Sequence, residues 1–346
     1  MKIVLVGDLI IESGWCIEEL KNIAKTYNSE YEAIDWETEN VEGLRVKNLK
    51  IEKQGPAAVE PPNKLWDLVK TAEILIVHFC PVSAKLIDTA PRLRVIGTLR
   101  TGLSNIDVNY AAKKKIPVIN LPGRLAEAVS DFTIGLIFSL VRGIVQSNDA
   151  LRQGRWTKNF ESNENFIELS GKTVGLIGLG GIGKKVAHKL ANFDVKVVSY
   201  DPFVPQETME SLGITKMELP DLLSSSDIVS IHTSLTDSSK GLIGGTQLSL
   251  MKPRSYLINT ARAEVIDKNA LYDALKKGAI AGAALDVFWE EPIVVNDPFL
   301  KLENVVVTPH ISGTLKEALL KSFSRLNKRL EPYYERLSTK GADGMS

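Results

Sequence analysis

Cysteine is scarce in this chain. Cys16 and Cys80 are the only two in 346 residues, and they form no C-x-x-C pair. That excludes a disulfide framework and a cysteine zinc site, and it fits a reducing cytoplasm. An excess of either charge is also missing, since 42 Lys and Arg balance 42 Asp and Glu. Nothing therefore points to nucleic acid or to an anionic membrane surface. The short run Lys113-Lys114-Lys115 reads as a solvated helix face. No apolar run approaches membrane-spanning length. The opening Lys2-Ile3-Val4-Leu5-Val6-Gly7-Asp8 is too short and too soon acidic for a signal peptide, and reads as a buried strand. There is no internal repeat and no low-complexity segment. Histidine is limited to four residues, which narrows the search for a group that titrates near neutrality.

The remainder is ordinary globular composition, long enough for two domains with separate cores. Residues 1–120 alternate short apolar runs (Ile3–Val6, Ile74–Val77, Val95–Gly97, Val118–Ile119) with helical patterns, the rhythm of a parallel sheet covered on both faces. The polar stretch 35–63, with Gly55-Pro56 and Pro61-Pro62, is expected to be mostly loop. Leu121-Pro122-Gly123 marks the first domain boundary. Residues 125–153 contain no proline and predict one long helix. From Lys172 the alternation resumes with about six strand candidates, at 174–177, 195–200, 228–232, 256–259, 283–287 and 305–308. Beyond His310 the pattern turns helical to Leu330. That last helix could pack back on the first domain and make it discontinuous. Gly341–Ser346 reads as a frayed tail.

The chain is organised around Thr173-Val174-Gly175-Leu176-Ile177-Gly178-Leu179-Gly180-Gly181-Ile182-Gly183. An apolar strand runs into G-x-G-x-x-G, and a helical pattern follows, with Val186 and Leu190 on one face. Gly178 permits the tight turn, Gly180 lets a pyrophosphate approach the backbone, and Gly183 lets the helix sit close to the strand. The helix N-terminus then faces the phosphates. A second apolar run ends at Asp201, near the ~20-residue spacing of a ribose-binding carboxylate. Such an acid accepts from the ribose hydroxyls and repels a 2′-phosphate, which favours NAD over NADP. A structural glycine turn, and a plain turn role for Asp201 before Pro202, are the blander alternatives.

Three polar sites follow later strand candidates: Asn259-Thr260-Ala261-Arg262, Asp286-Val287-Phe288-Trp289-Glu290-Glu291-Pro292 and Thr308-Pro309-His310-Ile311-Ser312-Gly313. Ligands of open α/β sheets bind outside the carboxyl ends of strands. Arg262 offers a bidentate fork for a carboxylate, His310 an acid that works near neutral pH, and Glu291 a carboxylate to orient the imidazole. Singly, each could be a surface or turn residue. Together, behind a dinucleotide fingerprint, they point to hydride transfer to a 2-keto acid. His232 reads as lining the cofactor cleft, His78 and His188 as structural, and Cys80 as a buried thiol.

These motifs resemble the D-isomer-specific 2-hydroxyacid dehydrogenases over nearly the whole chain. Gly102-Leu103-Ser104-Asn105-Ile106-Asp107 is similar to that family's substrate-domain motif. The resemblance implies an α/β fold of two doubly wound parallel-sheet domains. In it a Rossmann-type cofactor domain (121–311) is inserted in a flavodoxin-like substrate domain (1–120 plus 312–346), with a cleft between. It implies NAD as cofactor and no metal. Arg262 binds substrate, Glu291 pairs with His310, and His310 is the proton donor or acceptor. The cofactor side comprises Gly178, Gly180, Gly181, Ile182, Gly183, Asp201, His232, Thr233, Thr260, Ala261, Asp286 and Gly313, with Asp286 bonding the nicotinamide carboxamide. Backbone N–H groups of Leu99, Arg100, Thr101 and Gly102 cradle the substrate carboxylate. A homodimer through the 125–153 helix and a cytoplasmic location are also implied. Within the family the likeness is nearest to the phosphoglycerate dehydrogenase branch. Two departures are His78-Phe79-Cys80, where that branch often has an arginine, and Arg100, where a small residue is usual. Formate dehydrogenases of the superfamily carry glutamine at the position of Glu291. The alternative functions are a glyoxylate or hydroxypyruvate reductase, or an NADH-sensing scaffold similar to the family's co-repressors.

Overall fold

Strands Ile74–Val77, Val95–Thr98, Ile228–Ile231, Tyr256–Asn259 and Gly282–Leu285 are buried at every position. Such runs belong in parallel sheets covered on both faces. The computed structural model, which describes residues 1–158 and 163–339, contains two such sheets. The first has five strands: β1 (Lys2–Gly7), β2 (Glu30–Asp35), β3 (Ile74–Val77), β4 (Val95–Thr98) and β5 (Val118–Ile119), in the order β2-β1-β3-β4-β5. The second has seven: β6 (Thr173–Ile177), β7 (Lys196–Tyr200), β8 (Thr215–Lys216), β9 (Ile228–Ile231), β10 (Tyr256–Asn259), β11 (Gly282–Leu285) and β12 (Val305–Val307). Their order is β12-β11-β10-β9-β6-β7-β8. All pairings are parallel. The strand order changes direction once in each sheet, at β1/β3 and at β6/β9, and these are the switch points where open sheets bind ligands.

The chain divides into two compact units, residues 1–124 with 316–346, and residues 125–315. In the first unit the Lys316–Thr339 helix lays Phe323, Leu326, Leu330 and Tyr334 on one face of its sheet, among Ile3, Leu5, Ile74 and Ile76. Gly97 makes this approach possible. A Cβ there would stand 3.1 Å from both Leu326 Cδ2 and Leu330 Cδ1. The opposite face packs Val4, Val6, Leu75, Val77 and Ile96. The second unit likewise has a core on each face, one around Leu176, Val186 and Leu190, the other around Val229, Leu257 and Leu271.

Three expectations need correction. The stretch 35–63 is not mostly loop, because Val41–Gln54 is helical, capped by the Asn40 side chain on Gly43 N at 2.8 Å. Only Leu44 and Ile51 anchor it, two turns apart, so its apolar pattern is too sparse to read. The long helix at 125–153 is two helices, Ala126–Val141 and Ile144–Arg152, bent by 66°. The break is Gly143, left-handed at φ +58°, where a Cβ would collide with the Phe166 ring. The second sheet has a seventh strand, β8, which is two polar residues long and sits at the sheet edge. The tail 341–346 lies outside the described residues. No single helix among the described residues is long and apolar enough to cross a membrane.

Candidate functional site

At the β6/β9 switch point the chain exposes backbone. Gly178 follows β6 at φ +94°, and a Cβ on it would stand 2.8 Å from Thr233 N and 2.9 Å from the His232 carbonyl carbon. A Cβ on Gly183 would strike the Gly178 carbonyl oxygen. The protein's own packing therefore demands both glycines. Gly180 and Gly181 differ, because a Cβ on either would meet nothing within 4 Å. The space over them is open, and it is bounded by the start of the Gly181–Leu190 helix, whose cap Gly180 makes no side-chain bond. The first N–H groups of that helix have no intrahelical partner and stand at the positive end of its dipole. A cradle that a Cβ would fill, lined by free N–H groups, fits the pyrophosphate of a dinucleotide.

Asp201 follows β7. Its Oδ2 accepts from Leu179 N at 2.8 Å, and its Oδ1 from Phe203 N at 2.9 Å and Val204 N at 3.2 Å. The carboxylate thus ties the glycine loop to the next turn while remaining partly open to solvent. His232 follows β9. Its Nε2 meets Ser230 Oγ at 2.9 Å, and its Nδ1 is shut off from solvent with no partner among the described residues. Loss of hydration pushes this imidazole down to about 4, so it is neutral at physiological pH.

Arg262, Asp286 and His310 follow β10, β11 and β12, three successive strands at one edge of the second sheet. Asp286 is fully buried. Its Oδ1 accepts from Thr308 Oγ1 at 2.6 Å and Ile311 N at 2.9 Å, and its Oδ2 from Ser312 N at 2.9 Å. Both oxygens are therefore engaged in holding the 308–312 loop. That loop places His310 at φ +53°, a left-handed conformation that few residues other than glycine adopt. In this pose His310 Nδ1 lies 2.7 Å from Glu291 Oε2, and Glu291 Oε1 accepts from Phe288 N at 3.0 Å. A carboxylate that accepts at Nδ1 keeps the proton there and turns Nε2 outward. The His310 side chain keeps 44% of its surface exposed. Arg262 is also exposed, and among the described residues its guanidinium makes no ion pair, only a bond from Nη1 to its neighbour's Ala261 carbonyl at 2.7 Å. A free planar cation at a strand end can receive a carboxylate.

Two positioning residues, Asn259 and Thr133, had no role assigned from the sequence. Asn259 closes the turn that presents Arg262. Its Nδ2 donates to Arg262 O at 2.9 Å, and its Oδ1 accepts from Ala261 N at 3.0 Å. An Asn after a buried strand is a signal of such a turn. Thr260 Oγ1 meets Thr133 Oγ1 at 3.1 Å, both buried. No local pattern links residues so far apart. Thr233 and Ala261 lie in the turns just described, and Gly313 follows the His310 loop, where a Cβ would stand 3.0 Å from Leu125 Cδ1. Ile182 is half-buried in the first turn of its helix.

In the first unit, one of the four expected carboxylate donors is spent. Leu99 N donates to Val77 O at 2.9 Å. The next three N–H groups, of Arg100, Thr101 and Gly102, have no acceptor among the described residues and can bind an anion. The Arg100 side chain is engaged with Glu52, Nη2 to Oε1 at 3.1 Å, and with Asn48. Among the described residues no group of three or more His, Cys, Asp or Glu is placed to hold a metal ion.

Residues 134–312 match the family model for the NAD binding domain of D-isomer specific 2-hydroxyacid dehydrogenases. The chain is similar to a glyoxylate reductase of Thermofilum pendens, 46% identical over 243 residues, which cover 68% of this chain and 70% of that protein. It is also similar to a D-3-phosphoglycerate dehydrogenase of Archaeoglobus fulgidus, 37% identical over 284 residues, 82% of this chain and 53% of that one. Among solved structures it is similar to a D-lactate dehydrogenase of Aquifex aeolicus complexed with NAD and lactic acid. That match has 26% identity, a TM-score of 0.65 and coverage of 98% of each chain.

Proposed function

The chain belongs to the D-isomer specific 2-hydroxyacid dehydrogenase family, and from that premise we propose that His310 is its acid–base residue, held by Glu291, with Arg262 as the substrate cation. The protein is an NAD-dependent oxidoreductase that interconverts a 2-keto acid and a D-2-hydroxy acid. NAD, when bound, supplies or accepts the hydride.

The protein's own part is proton and charge management. In the reducing direction His310 Nε2 delivers a proton to the carbonyl oxygen as negative charge develops there. In the oxidising direction the same atom takes the hydroxyl proton. Glu291 Oε2 holds the other ring nitrogen and stabilises the charged imidazole. Arg262 orients the carboxylate and draws charge toward the carbonyl oxygen. The free N–H groups of Arg100, Thr101 and Gly102 are assigned to a carboxylate. Gly178, Gly180, Gly181, Ile182 and Gly183 are assigned to the pyrophosphate and Asp201 to the ribose. His232, Thr233, Thr260, Ala261 and Gly313 line the cofactor side. Asp286 holds the His310 loop and, through the remaining acceptor capacity of its Oδ2, is assigned to the nicotinamide carboxamide. A homodimer through residues 125–153 and a cytoplasmic location complete the reading.

The observation that carries this is the 2.7 Å Glu291–His310 pair on a loop clamped by Asp286. The test is NADH oxidation over a panel running from glyoxylate to phosphorylated 3-carbon keto acids, with the chirality of the product determined. Turnover giving the D product supports the reading. Tight NADH binding with no turnover on any member, or an L product, overturns it.

A further inference from the structure

The switch point of the first sheet is furnished with charge. Asp8 follows β1 and His78 follows β3, and both are buried, with 1% and 0% of their surfaces exposed. His78 Nδ1 lies 3.0 and 2.9 Å from the two Asp8 oxygens. Asp8 also accepts from Ile10 N and Ile11 N on Oδ1 and from Phe79 N on Oδ2. Its acceptor capacity is therefore consumed locally. Asn105 Nδ2 donates to the carbonyls of His78 and Cys80, each at 3.0 Å, and fixes the loop that carries His78.

Two guanidiniums converge on this pair. Arg124 Nη1 lies 3.5 Å from His78 Nε2, a long contact in which only a neutral imidazole can accept. Arg100 stacks its guanidinium carbon 4.4 Å from the centre of the Phe79 ring. Burial pushes the Arg124 guanidinium down to about 10, and repulsion from Arg100 adds to that. Burial lowers His78 against the pull of Asp8, and the charges of Arg124 and Arg100 add to the lowering, which keeps the imidazole neutral. Among the described residues Arg124 has no carboxylate partner. Arg100 has only Glu52, itself 42% exposed. Two partly desolvated like charges, one of them unpaired, are held together where a doubly wound sheet takes its ligand. Such an arrangement is unfavourable alone and favourable around an anion.

We propose that Arg124 and Arg100, aligned by the Asp8–His78 pair, receive a second anionic group of the substrate, so that the preferred 2-keto acid carries a carboxylate or phosphate ester on its far carbon. The proposal rests on the 2-keto acid chemistry proposed above. His78 is a positioning residue in it: its Nε2 orients Arg124, and its Nδ1–H is anchored by Asp8. The charge comes from the arginines. The backbone N–H groups of residues 100–102 remain for the carboxylate next to the carbonyl.

The test uses the full chain with NADH and two substrate pairs, pyruvate against oxaloacetate and hydroxypyruvate against 3-phosphohydroxypyruvate. The member with two anionic groups in at least one pair should have a kcat/KM about tenfold or more above its partner. Which pair responds separates a carboxylate from a phosphate. In Arg124→Met that ratio should fall toward one, and Arg124→Lys should keep part of it. Equal kcat/KM within both pairs, or a ratio unchanged in Arg124→Met, overturns the proposal. Calorimetric titration with malonate and with inorganic phosphate reads the same site without hydride transfer. Binding to the wild type that weakens about tenfold in Arg124→Met, at unchanged NADH affinity, supports the anion receptor even if no keto acid is reduced. In that case the proposed function alone would fail. Absence of binding by either anion, together with equal kcat/KM, rejects the receptor even where glyoxylate is reduced to the D product or another keto acid turns over.

Discussion

The two switch points solve recognition in opposite ways. At β6/β9 the second unit offers bare backbone: open space over Gly180 and Gly181, unpaired helix N–H groups, and one neutral histidine. At β1/β3 the first unit offers side chains: Asp8, a neutral His78, Arg100 and Arg124, which together leave positive charge in excess, with Arg124 unpaired among the described residues. A pyrophosphate is the same in every dinucleotide, so fixed backbone geometry can serve it. The variable end of an acid needs charges placed to measure, and residues 8, 78, 100 and 124 place them.

Four changes would break or sharpen that contrast. The largest effect is expected from His310→Gln, which removes the proposed proton carrier and leaves the glycine loop intact. Its kcat should fall by about 10²–10⁴, with the NADH dissociation constant within about twofold of wild type; stopped-flow reduction and fluorescence titration measure the two. The second is a matched pair in the glycine loop. Gly178→Ala puts a side chain at φ +94° and against Thr233 N, and should lower the urea-unfolding free energy by about 2–3 kcal/mol. Gly180→Ala meets no protein atom and should change stability by about 1 kcal/mol or less, while weakening NADH binding about tenfold. If both lose stability equally, the space over Gly180 is not reserved for a ligand.

The third concerns pH. The folded His232 resists protonation down to about 4, whereas an unfolded histidine takes up its proton near 6.5. The unfolded chain therefore binds more protons between these values, and stability falls as pH drops through that window. The slope from this residue is at most about 1.4 kcal/mol per pH unit. His232→Gln should flatten the pH dependence of the unfolding midpoint between pH 6.5 and 4. The smallest effect belongs to the surface. Glu127 pairs with Lys185 and Lys189, whose hydrogen bonds hold its carboxyl down at about 2. The group is solvated, so Glu127→Gln should shift stability by no more than about 0.5 kcal/mol in thermal melts.

Much of the second unit was legible because its signals are local. Gly178, Gly180 and Gly183 lie within one turn of each other, and Asp201 closes the following strand. Arg262, Glu291 and His310 each lie within six residues of the end of an apolar strand. The Val41–Gln54 helix was missed because its two buried anchors, Leu44 and Ile51, are outnumbered by polar residues. The bend at Gly143 was missed because Phe166, which occupies the space a side chain would need, lies far along the chain. Asp286 stood out as polar after a strand, but its hold on Thr308, Ile311 and Ser312 came only with β11 and β12 side by side.

The sequence alone determined the class of fold and the chemistry. Apolar runs buried on both faces belong in parallel sheets, and a glycine spacing that frees backbone N–H groups suits a phosphate-like ligand. Only the tertiary structure decided which side chains hold which. Asp286 engages the His310 loop, Leu99 N–H belongs to the sheet, and Arg124 meets His78 beside Asp8. The physical reason is range: backbone conformation answers to neighbours a few residues away, whereas a buried charge answers to whatever the fold brings within a few ångströms of it.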